Sequence, residues 1–449
     1  MTRSLQQAPI QETLHPSRRT NSPMKKPLLL ILMAACVGIA VWFWVPMLAG
    51  GLLWPAYLYD AGRLLALIGF TLLAFQYVTS SRIKWIERGM GLDALLGIHK
   101  WCGGLILALA TVHPLLILLS ERVQGYATPI GFLKILGLIT LLLVWVTAGA
   151  ALGYGRIFVS YESWKRIHRL GYLILPLAFL HSLFLGSTLQ RGPLRGFWVI
   201  LALVYVAVLV NRIRHHVGLR RHAIAVSDVR KETEDIWTLH FEGDHPAYVP
   251  GQFMFVQLMR KGKVSSPHPF TIASSPTRKG FFICAKAVGD FTSTLGETRP
   301  ADPAYVDMPY GVFSFFNHDA QRLIFIAGGI GITPFLSMLQ YMQDRELQKE
   351  VILIWGNKRE NDIVFKDELD RMVSEMTSLK VVYVLSRQKD WPGEKGHIDK
   401  EKLKEHVQNF TEGHFFICGP SPMMSDVKKT LCGLGVQKRR IHSERFALR

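Results

Sequence analysis

Four histidines stand within otherwise apolar sequence, and they are the residues best suited to do chemistry. His99 and His113 lie 14 residues apart on one apolar segment. His168 and His181 lie 13 residues apart on another. An ionisable or metal-ligating side chain in a membrane-length apolar run is costly, so its presence indicates a function. Two pairs at nearly equal spacing predict two stacked metal or haem sites between two helices. The alternative is that some of these histidines are packing residues or interfacial anchors.

Six apolar runs precede residue 212, and each is near the roughly 20 residues needed to cross a bilayer core. They lie at 27–50, 61–79, 94–119, 130–152, 168–186 and 196–211. We therefore predict a six-helix transmembrane bundle over 28–213. Connections rich in Lys and Arg alternate with connections poorer in them, so the positive-inside rule puts both chain ends in the cytoplasm of a multi-pass cell-membrane protein. Residues 1–27 are polar and basic, and we expect them to be a disordered cytoplasmic tail.

This topology sets the depth of each histidine. The third and fifth runs point the same way, from the cytoplasm outward, so His99 pairs with His168 near the inner face. His113 and His181 lie about 21 Å and 20 Å further out, at 1.5 Å per residue. A low-spin haem b needs two axial imidazoles, and two such haems would bridge most of the hydrocarbon thickness.

Helix geometry raises one difficulty. At about 100° per residue, 14 residues return to within roughly 40° of the starting face, whereas 13 residues miss it by about 140°. Pro176 lies between His168 and His181, and an internal proline kinks or rephases a helix. We therefore predict that the fifth run is distorted near Pro176, which brings both imidazoles to the same interior.

Composition limits the other classes of function. The chain has 449 residues, 49% of them hydrophobic, and a formal net charge of +18. We assign this charge to membrane-flanking Lys and Arg and to a nucleotide-binding surface, because the sequence lacks the clustered basic and aromatic residues of nucleic-acid-binding proteins. Five cysteines without a CxxC pair argue against a disulfide framework or a zinc site. His215, His216 and His222 are interpreted as solvated headgroup contacts. Arg63 is interpreted as a snorkelling interfacial arginine or as a cation near a haem propionate or an anionic product.

The chain from about residue 220 has ordinary globular composition, and its first part, 220–318, alternates short strands with turns. Strands are expected at 237–242, 251–258 and 281–287, which suits a small antiparallel β-barrel. A turn at 308–311 closes this unit. The stretch 286–295 contains a glycine followed by hydroxyl residues, which are predicted to open a helix and to offer free N–H groups to a phosphate, with Lys286 as an added cation.

The last part, 319–449, alternates strands with helices. Apolar strands are expected at 323–327, 351–355, 381–385 and 414–418, which indicates an α/β domain with a parallel doubly wound sheet. The first strand runs into Gly328-Gly329-Ile330-Gly331-Ile332-Thr333-Pro334-Phe335, a turn that lets a pyrophosphate approach a helix N-terminus. Cys418-Gly419-Pro420 follows the fourth strand at the carboxyl edge, where such sheets bind ligands. An ordinary tight turn is the alternative there.

These motifs carry a resemblance to a known family. The stretch His268-Pro269-Phe270-Thr271, the GGIGITPF and CGP turns and the C-terminal Glu444-Arg445-Phe446 are similar to the ferredoxin-reductase-type FAD/NAD(P)H module. The paired histidines resemble those of the ferric reductase transmembrane domain. Taken in this order, about residues 30–449 resemble the NADPH oxidase/ferric reductase family in its compact prokaryotic form.

The resemblance implies FAD, two b-type haems and NADPH as cofactors, with NADH as the alternative nucleotide. The four paired histidines would hold the haem irons, and Thr271, Cys418 and Phe446 would lie at the reacting groups, with Phe446 stacked on the flavin. The implied binding residues are His268, Pro269, Phe270 and Thr271 for the isoalloxazine, Lys286, Gly289, Phe291 and Thr292 for the FAD phosphates and neighbouring groups, Gly329, Gly331, Thr333 and Pro334 for the nicotinamide dinucleotide, and Cys418, Gly419 and Pro420 beside the nicotinamide. Related soluble reductases carry an arginine where His268 stands, so pyrophosphate contacts there are expected to differ.

The implied function is electron transfer from cytosolic NAD(P)H through FAD and two haems to an extracytoplasmic acceptor. Ser386-Arg387 follow the third strand, where this family can bind a 2′-phosphate, and no acidic residue stands there to bind the ribose diol, which favours NADPH. We expect O₂ as the acceptor, giving superoxide. The alternatives are a ferric chelate, a haem relay to a quinone or partner protein, and a non-enzymatic channel or sensor. No obligate protein partner is indicated, and the sequence has no EF-hand loop for calcium control.

Overall fold

The computed structural model describes residues 25–47, 54–125, 129–154, 161–189, 192–243 and 245–444. Its first part is helical. The helices are α1 (Lys25–Trp44), α2 (Trp54–Ser80), α3 (Lys84–Met90), α4 (Leu92–Val123), α5 (Phe132–Gly153), α6 (Tyr161–His168), α7 (Ile174–Leu185) and α8 (Pro193–Arg221). A short 3₁₀ helix, Arg169–Leu173, joins α6 to α7. Residues 1–24 of the predicted tail lie outside the described residues, and its last three residues already belong to α1.

Five helical segments are long and apolar enough to cross a membrane, and they correspond to the second to sixth predicted runs. They are Trp54–Ser80, Leu92–Val123, Phe132–Gly153, Glu162–Leu185 and Pro193–Arg220. The first predicted run forms a shorter apolar helix, Leu28–Trp44. At 1.5 Å per residue this helix extends about 26 Å, less than the roughly 30 Å hydrocarbon core. The first predicted run is therefore not confirmed as a membrane span, and the total of six spans stays a prediction.

Helix α2 is the one around which the others pack. Half of its membrane-length window is buried inside the protein, against 11% for α4 and 11% for the α6–α7 segment. Phe70 of α2 stacks on Trp198 of α8, with ring centroids 4.6 Å apart. The two segments that carry the paired histidines are thus the least covered by protein, which leaves their faces to lipid or to bound groups.

The next part of the chain forms a seven-stranded antiparallel sheet, as predicted. Its strands are β1 (Ile224–Lys231), β2 (Ile236–Glu242), β3 (Phe253–Arg260), β4 (Lys263–Val264), β5 (His268–Thr271), β6 (Phe281–Lys286) and β7 (Pro303–Tyr310). The order is β4-β3-β7-β1-β2-β6, and β5 pairs with β3. In β2, Leu239 and Phe241 are buried while His240 between them is half-buried, the alternation typical of a strand with one covered face.

The last part forms a parallel sheet with helices on both faces, which confirms the predicted doubly wound α/β fold. Its strands are β8 (Arg322–Gly328), β9 (Glu350–Asn357), β10 (Leu379–Leu385), β11 (Glu394–Lys395), β12 (His414–Cys418) and β13 (Ile441–Glu444), in the order β11-β10-β9-β8-β12-β13. The helices are α9 (Thr333–Asp344), α10 (Lys366–Glu375), α11 (Lys400–His406) and α12 (Ser421–Gly433). Residues 323–327 are all fully buried, as expected for a strand covered on both faces. Strand β13 was not predicted, because it is short and mostly polar.

One end of the helical part is docked on the antiparallel sheet. Lys84 of α3 donates from Nζ to the Met308 carbonyl at 2.7 Å and lies 3.4 Å from the Asp307 carboxylate. His215, near the end of α8, contacts the same carboxylate at 2.8 Å. The interpretation of His215 as a solvated headgroup contact is therefore wrong. Its partner lies 92 residues further along the chain, so no local pattern could reveal it.

Asp307→Asn is expected to destabilise this docking at neutral pH by about 1–3 kcal/mol, because the buried carboxylate accepts hydrogen bonds from His215 and Tyr310. Burial alone would raise the pKa of Asp307, but these hydrogen bonds and the charges of His215 and Lys84 outweigh it and leave the pKa lowered. A carboxyl with a lowered folded-state pKa stabilises the fold above its ordinary value, near 3.9, and loses that effect as the pH falls through the folded pKa. Thermal unfolding of protein and variant should differ at pH 7 and converge below about pH 3.9. Equal Tm values at pH 7 would contradict this prediction.

Candidate functional site

Helix α4 and the α6–α7 segment bring the four paired histidines into two groups. His99 and His168 face each other with ring centroids 6.0 Å apart and ring planes at 73°. Two metal–imidazole bonds of about 2 Å each put the two ligating nitrogens about 4 Å apart, with the ring centres further out. The inner pair is therefore spaced to take one metal ion between its rings. His113 of α4 and His181 of α7 are the predicted outer pair.

Each of the four rings is oriented by a contact from Nδ1 to an acceptor on a neighbouring helix. The contacts are His113 with the Gly62 carbonyl at 2.8 Å, His181 with the Leu133 carbonyl at 2.8 Å, His168 with the Thr147 carbonyl at 3.4 Å, and His99 with the Thr79 hydroxyl at 3.5 Å. Because a carbonyl only accepts, Nδ1 must carry the proton, which leaves the Nε2 lone pair for a metal. The Thr79 hydroxyl donates to carbonyls within α2, so it also accepts from His99. Metal-ligating histidines are typically oriented in this way.

The segment between His168 and His181 is not a straight helix. It passes from α6 through five residues of 3₁₀ helix into α7. Five residues at about 120° rather than 100° add roughly 100°, so 13 residues return to within about 40° of the starting face. This is the same offset that 14 residues of α4 give. The predicted distortion is confirmed, and it lies just before Pro176.

Two tyrosines stabilise this distortion. Pro176 has no N–H, so it cannot bond to the carbonyl of Tyr172 four residues earlier. That carbonyl accepts instead from the Tyr205 hydroxyl of α8 at 2.7 Å, and the Gly171 carbonyl accepts from the Tyr77 hydroxyl of α2 at 2.6 Å. These acceptors are thus satisfied inside the bundle, where an unpaired carbonyl is costly.

A glycine of α5 leaves the space that the His181 ring occupies. A Cβ at Gly137 would lie 2.6 Å from His181 Cε1 and 2.8 Å from its Nδ1. Gly137→Ala is therefore expected to displace the ring and to weaken binding of the predicted haem at the outer pair by about 10–100-fold, as changes beside a metal ligand do. Gly149→Ala on the same helix is the matched control, since a Cβ there meets nothing within 4 Å. Haem content per protein, read from the absorbance of the purified variants, tests this, and equal haem content in the two variants would contradict it.

Arg63 of α2 contacts two polar groups near the predicted outer ends of the helices. Its Nη1 pairs with Asp60 at 3.0 Å, and its Nε donates to the Thr188 hydroxyl at 2.8 Å. Both partners lie at the ends of membrane-length segments, so these contacts fit a snorkelling arginine as well as a cation near a bound group. The role of Arg63 as a cation near a bound group stays a prediction.

Strand β5 places the predicted flavin-binding residues on the antiparallel sheet. Thr271 is 4% exposed, and its buried Oγ1 has no hydrogen-bond partner among the residues that the structure describes. Such a hydroxyl is costly alone, so a ligand atom that bonds to it would stabilise the protein. His268 stacks on Phe291 with ring centroids 3.9 Å apart. Burial, with the charge of Lys165, lowers the pKa of His268 to about 4. The ring is therefore neutral and cannot supply the positive charge of an arginine.

The stretch after β6 differs from the prediction. Residues 292–297 form a short 3₁₀ helix, and the Thr292 hydroxyl accepts from the N–H groups of Val288 and Gly289, both at 3.0 Å. Lys286 pairs with Asp235 at 3.0 Å. Two N–H groups of this stretch therefore have a partner already, because the Thr292 side chain bonds to the backbone of its own turn. Lys286, the expected added cation, also has a partner. The binding of FAD phosphates by this stretch stays a prediction.

The two glycine-containing turns meet at the carboxyl ends of β8 and β12. A Cβ at Gly331 would overlap the Cys418 carbonyl oxygen and lie 2.9 Å from the Gly419 Cα. A Cβ at Gly419 would in turn lie 3.0 Å from the backbone nitrogen of Gly328. The structure thus brings together the residues that were predicted to bind the dinucleotide. Burial raises the pKa of the Cys418 thiol well above its usual value, so the group is an uncharged thiol.

Two buried carboxyls at the docking junction were not predicted as a pair. Glu87 of α3 is fully buried and accepts from the Gly311 N–H at 2.7 Å. Glu444, at the end of β13, lies against the same glycine, since a Cβ at Gly311 would be 3.0 Å from its Oε1. Burial raises the pKa of both carboxyls, and the charges of Asp93 and Glu87 raise that of Glu444 further. Glu87 lies in a connection rich in Lys and Arg, so the sequence does not indicate that its carboxyl is buried.

Two further residues bear on the predicted site. Asn357 ends β9 at the carboxyl edge of the parallel sheet, and its buried Nδ2 has no hydrogen-bond partner within the described part of the chain. A polar residue that ends an apolar strand at this edge was the available signal for it. Phe446 lies outside the described residues, which end at Glu444. Its predicted stacking on the flavin stays a prediction.

Three family models match successive parts of the chain. A model described as a ferric reductase like transmembrane component matches residues 65–179. A model described as an FAD-binding domain matches residues 221–326. A model described as an oxidoreductase NAD-binding domain matches residues 325–429. The matched ranges follow the helical part, the antiparallel sheet and the parallel sheet.

Individual proteins are similar to the second half of the chain. The glycine betaine monooxygenase reductase subunit of Pseudomonas aeruginosa is 30% identical over 236 residues, which are 50% of this chain and 64% of that protein. The sulfhydrogenase 1 subunit gamma of Pyrococcus furiosus is 31% identical over 219 residues, 47% of this chain and 73% of that protein. Among solved structures, a ferredoxin NADP⁺ reductase from Neisseria gonorrhoeae with bound FAD and NADP is 20% identical, with a TM-score of 0.46 over 50% of this chain and 98% of that one. The chain thus spans less than two thirds of the length of the first of these relatives.

Proposed function

Because this chain belongs to the NADPH oxidase/ferric reductase family, in which a ferric reductase-like transmembrane component is joined to FAD- and NAD-binding domains, we propose that it transfers electrons from NAD(P)H across a membrane. The acceptor that we propose is O₂, reduced to superoxide on the far side. A ferric chelate is the alternative acceptor, and relay to a quinone or a partner protein is a further one.

The orientation of the four paired histidines carries this proposal. All four use Nδ1 for a contact within the protein and keep Nε2 for a ligand, and the inner rings are spaced for one metal ion. We propose that His99 with His168, and His113 with His181, would hold two b-type haems. When bound, FAD accepts hydride from NAD(P)H and releases electrons singly, and haem b carries single electrons. With two histidines of this chain holding each haem, the acceptor would take its electron without binding to the metal.

The contact between the helical part and the antiparallel sheet supports the proposed order of the two histidine pairs. Leu92 and Leu96 of α4 pack against Phe253, Phe255 and Tyr310 of the antiparallel sheet. His99 follows Leu92 by seven residues, about 10 Å along the helix. The inner pair is therefore nearer to the FAD-binding part, and the outer pair lies about 21 Å beyond it.

The chain's own residues bind and orient the proposed soluble cofactors. Thr271 has the unpaired buried hydroxyl that a flavin ring atom would satisfy. Gly331 and Gly419 let two backbone turns approach each other at the sheet edge, where the dinucleotide would lie beside Cys418. We propose domain limits of 28–213 for the haem-binding part, 220–318 for FAD and 319–449 for NAD(P)H, with Phe446 beside the flavin.

We propose that the end of the helical part that contacts the antiparallel sheet lies on the cytoplasmic side of the cell membrane. The three connections rich in Lys and Arg all reach the antiparallel sheet, through Lys84, His215 and a contact of 2.9 Å between Glu162 and Ser266. The positive-inside rule assigns such connections to the cytoplasm. Access of NADPH to sealed inside-out vesicles, but not to right-side-out ones, would test this orientation.

The central experiment follows each cofactor spectroscopically after anaerobic mixing of detergent-purified protein with NADPH. Flavin bleaching should precede haem reduction, and protein stripped of FAD should show no haem reduction. Haem reduction without FAD would overturn the route. In air, dye reduction that superoxide dismutase suppresses would support O₂ as the acceptor. Dismutase-insensitive reduction of ferric citrate would support the ferric-chelate alternative.

Arg387→Ala is expected to raise KM for NADPH by about 10–100-fold and to leave KM for NADH unchanged, because hydrogen bonds to a 2′-phosphate are charge-assisted. Arg387 is exposed just after β10, where its N–H donates to the Lys358 carbonyl at 2.8 Å and fixes the turn at the carboxyl edge. Lys389→Ala, at an exposed position two residues on, is the matched control. Equal loss with both nucleotides would contradict a 2′-phosphate contact.

A further inference from the structure

Three histidines outside the proposed cofactor sites converge at the amino edge of the parallel sheet. His414 opens β12, His442 lies in β13, and His318 lies on the connection that precedes β8. Each can offer one ring nitrogen, and these three atoms lie within 4.8 Å of one another. Cys418 ends β12 about 13 Å away along the strand. The cluster is thus at the opposite edge of the sheet from the proposed dinucleotide site.

Strand pairing and ring contacts fix this arrangement. His442 pairs in register with Phe416, and His414 lies two residues before Phe416, so both histidines point to the same face of the sheet. His414 Nδ1 is 2.9 Å from His442 Nε2. His318 stacks on His442 with ring centroids 3.7 Å apart. Three segments that are distant in sequence therefore place imidazoles in mutual contact.

The three rings are uncharged at neutral pH. Burial, with the neighbouring histidines, lowers the pKa of His442 to about 3, and burial with His414 lowers that of His318 to about 4. Burial, with the charges of Arg440 and Arg439, also lowers the pKa of His414. Neutral imidazole is the form that binds metals, because its unprotonated nitrogen has a lone pair to give.

The cluster has an entry path from solvent. His414 lines an open cavity of about 570 Å³, whose lining also includes Asp319, Glu412 and the ion pair of Arg322 with Glu350. Carboxylates at the mouth of a cavity raise the local concentration of a cation. Arg440, which also lines the cavity, donates to the Thr411 carbonyl. A hydrated ion can therefore reach the imidazoles and keep a water ligand on the cavity side.

We propose that His318, His414 and His442 bind one divalent transition-metal ion of the zinc class. Imidazole ligands favour Zn²⁺, Co²⁺ or Ni²⁺ over Mg²⁺ and Ca²⁺, which prefer oxygen. Three imidazoles and one water complete a four-coordinate site, and small rotations bring nitrogens within 4.8 Å to ligand distances. The ion links three segments, which are the connection that carries His318, strand β12 and strand β13, which ends at Glu444. It acts as a structural clamp on the end of the described chain.

The test measures Zn²⁺ binding to full-length, FAD-loaded protein in detergent after treatment with EDTA and desalting. Equilibrium dialysis with elemental analysis should find one Zn²⁺ per chain at a Kd below about 1 µM. Zn²⁺ should also raise Tm, because it binds only the folded protein. His442→Gln and, independently, His318→Gln should weaken binding by more than about 100-fold and remove the Tm rise.

His406→Gln is the control, because His406 belongs to a second cluster, with Glu394 and Glu405, that has the spacing of a metal site. This variant should bind Zn²⁺ as the parent protein does. FAD content shows that each variant is folded. His318→Gln is the second variant because His318 lies on a connection, so the test remains valid even if His442→Gln disturbs β13. Absence of Zn²⁺ binding in the parent protein, or unchanged binding in both folded cluster variants, would overturn the proposal. None of these measurements depends on NAD(P)H oxidation.

Discussion

Replacing His113 or His181 by alanine is expected to lower reduction of an external acceptor by more than about 100-fold while leaving flavin reduction by NADPH unchanged. Each variant removes one of the proposed metal ligands, a larger change than the neighbouring substitutions that cost about 10–100-fold in metal affinity. The outer pair lies about 21 Å from the inner one, so the inner pair cannot take over its position. The flavin-binding residues are on the antiparallel sheet, beyond the inner pair, and are not disturbed.

The measurement is stopped-flow absorbance, with flavin bleaching and acceptor reduction followed in the same mixing experiment. His216→Ala is the matched control, because His216 is an exposed histidine near the end of α8 and belongs to neither pair. It should retain both phases. Substantial acceptor reduction by either outer-pair variant would show that electrons leave the protein without passing through His113 and His181.

Gly331→Ala should have the second large effect, at the proposed dinucleotide site. The added Cβ would overlap the Cys418 carbonyl oxygen and lie 2.6 Å from its carbon, and both of these atoms are backbone. One of the two turns must move, and a misplacement of about 1 Å can lower the rate of a bound reaction about 100-fold. We expect kcat/KM for NADPH to fall by about that factor.

Gly433→Ala is the control for this substitution, since a Cβ at that position of α12 meets nothing within 4 Å. Dithionite, which needs no nucleotide, should still reduce the haems of the Gly331→Ala protein. Loss of haem reduction by dithionite would mean that the change disturbs more than the nucleotide edge. Normal NADPH kinetics in Gly331→Ala would remove the two turns from the proposed dinucleotide site.

The features predicted correctly from the sequence are those with a local period or spacing. Apolar runs predicted five of the membrane-length helices, and buried strands followed by glycine turns predicted the parallel sheet. The 13-residue interval between His168 and His181 predicted the distortion, because the number of residues sets how far a regular helix rotates. Its stabilisation by Tyr77 and Tyr205 depends on packing between helices and has no sequence signal.

The features that were missed depend on contacts between distant segments. His215 pairs with Asp307, Glu87 accepts from the Gly311 N–H, and His318 stacks on His442. The Thr292 hydroxyl shows a different limit, because a residue type that can bind a phosphate can also close its own turn. Residue type indicates what a side chain can do, and only the fold decides which partner it has.

The docking of the antiparallel sheet through Lys84, Glu87 and His215 has a kinetic consequence. A free reductase must meet its partner by diffusion, so its rate depends on the concentration of both and on screening of their charges by salt. Here α8 continues directly into β1, and buried contacts hold the two parts together, so the encounter is intramolecular. Electron delivery to the bundle is therefore expected to follow first-order kinetics that neither dilution of the protein nor moderate salt alters.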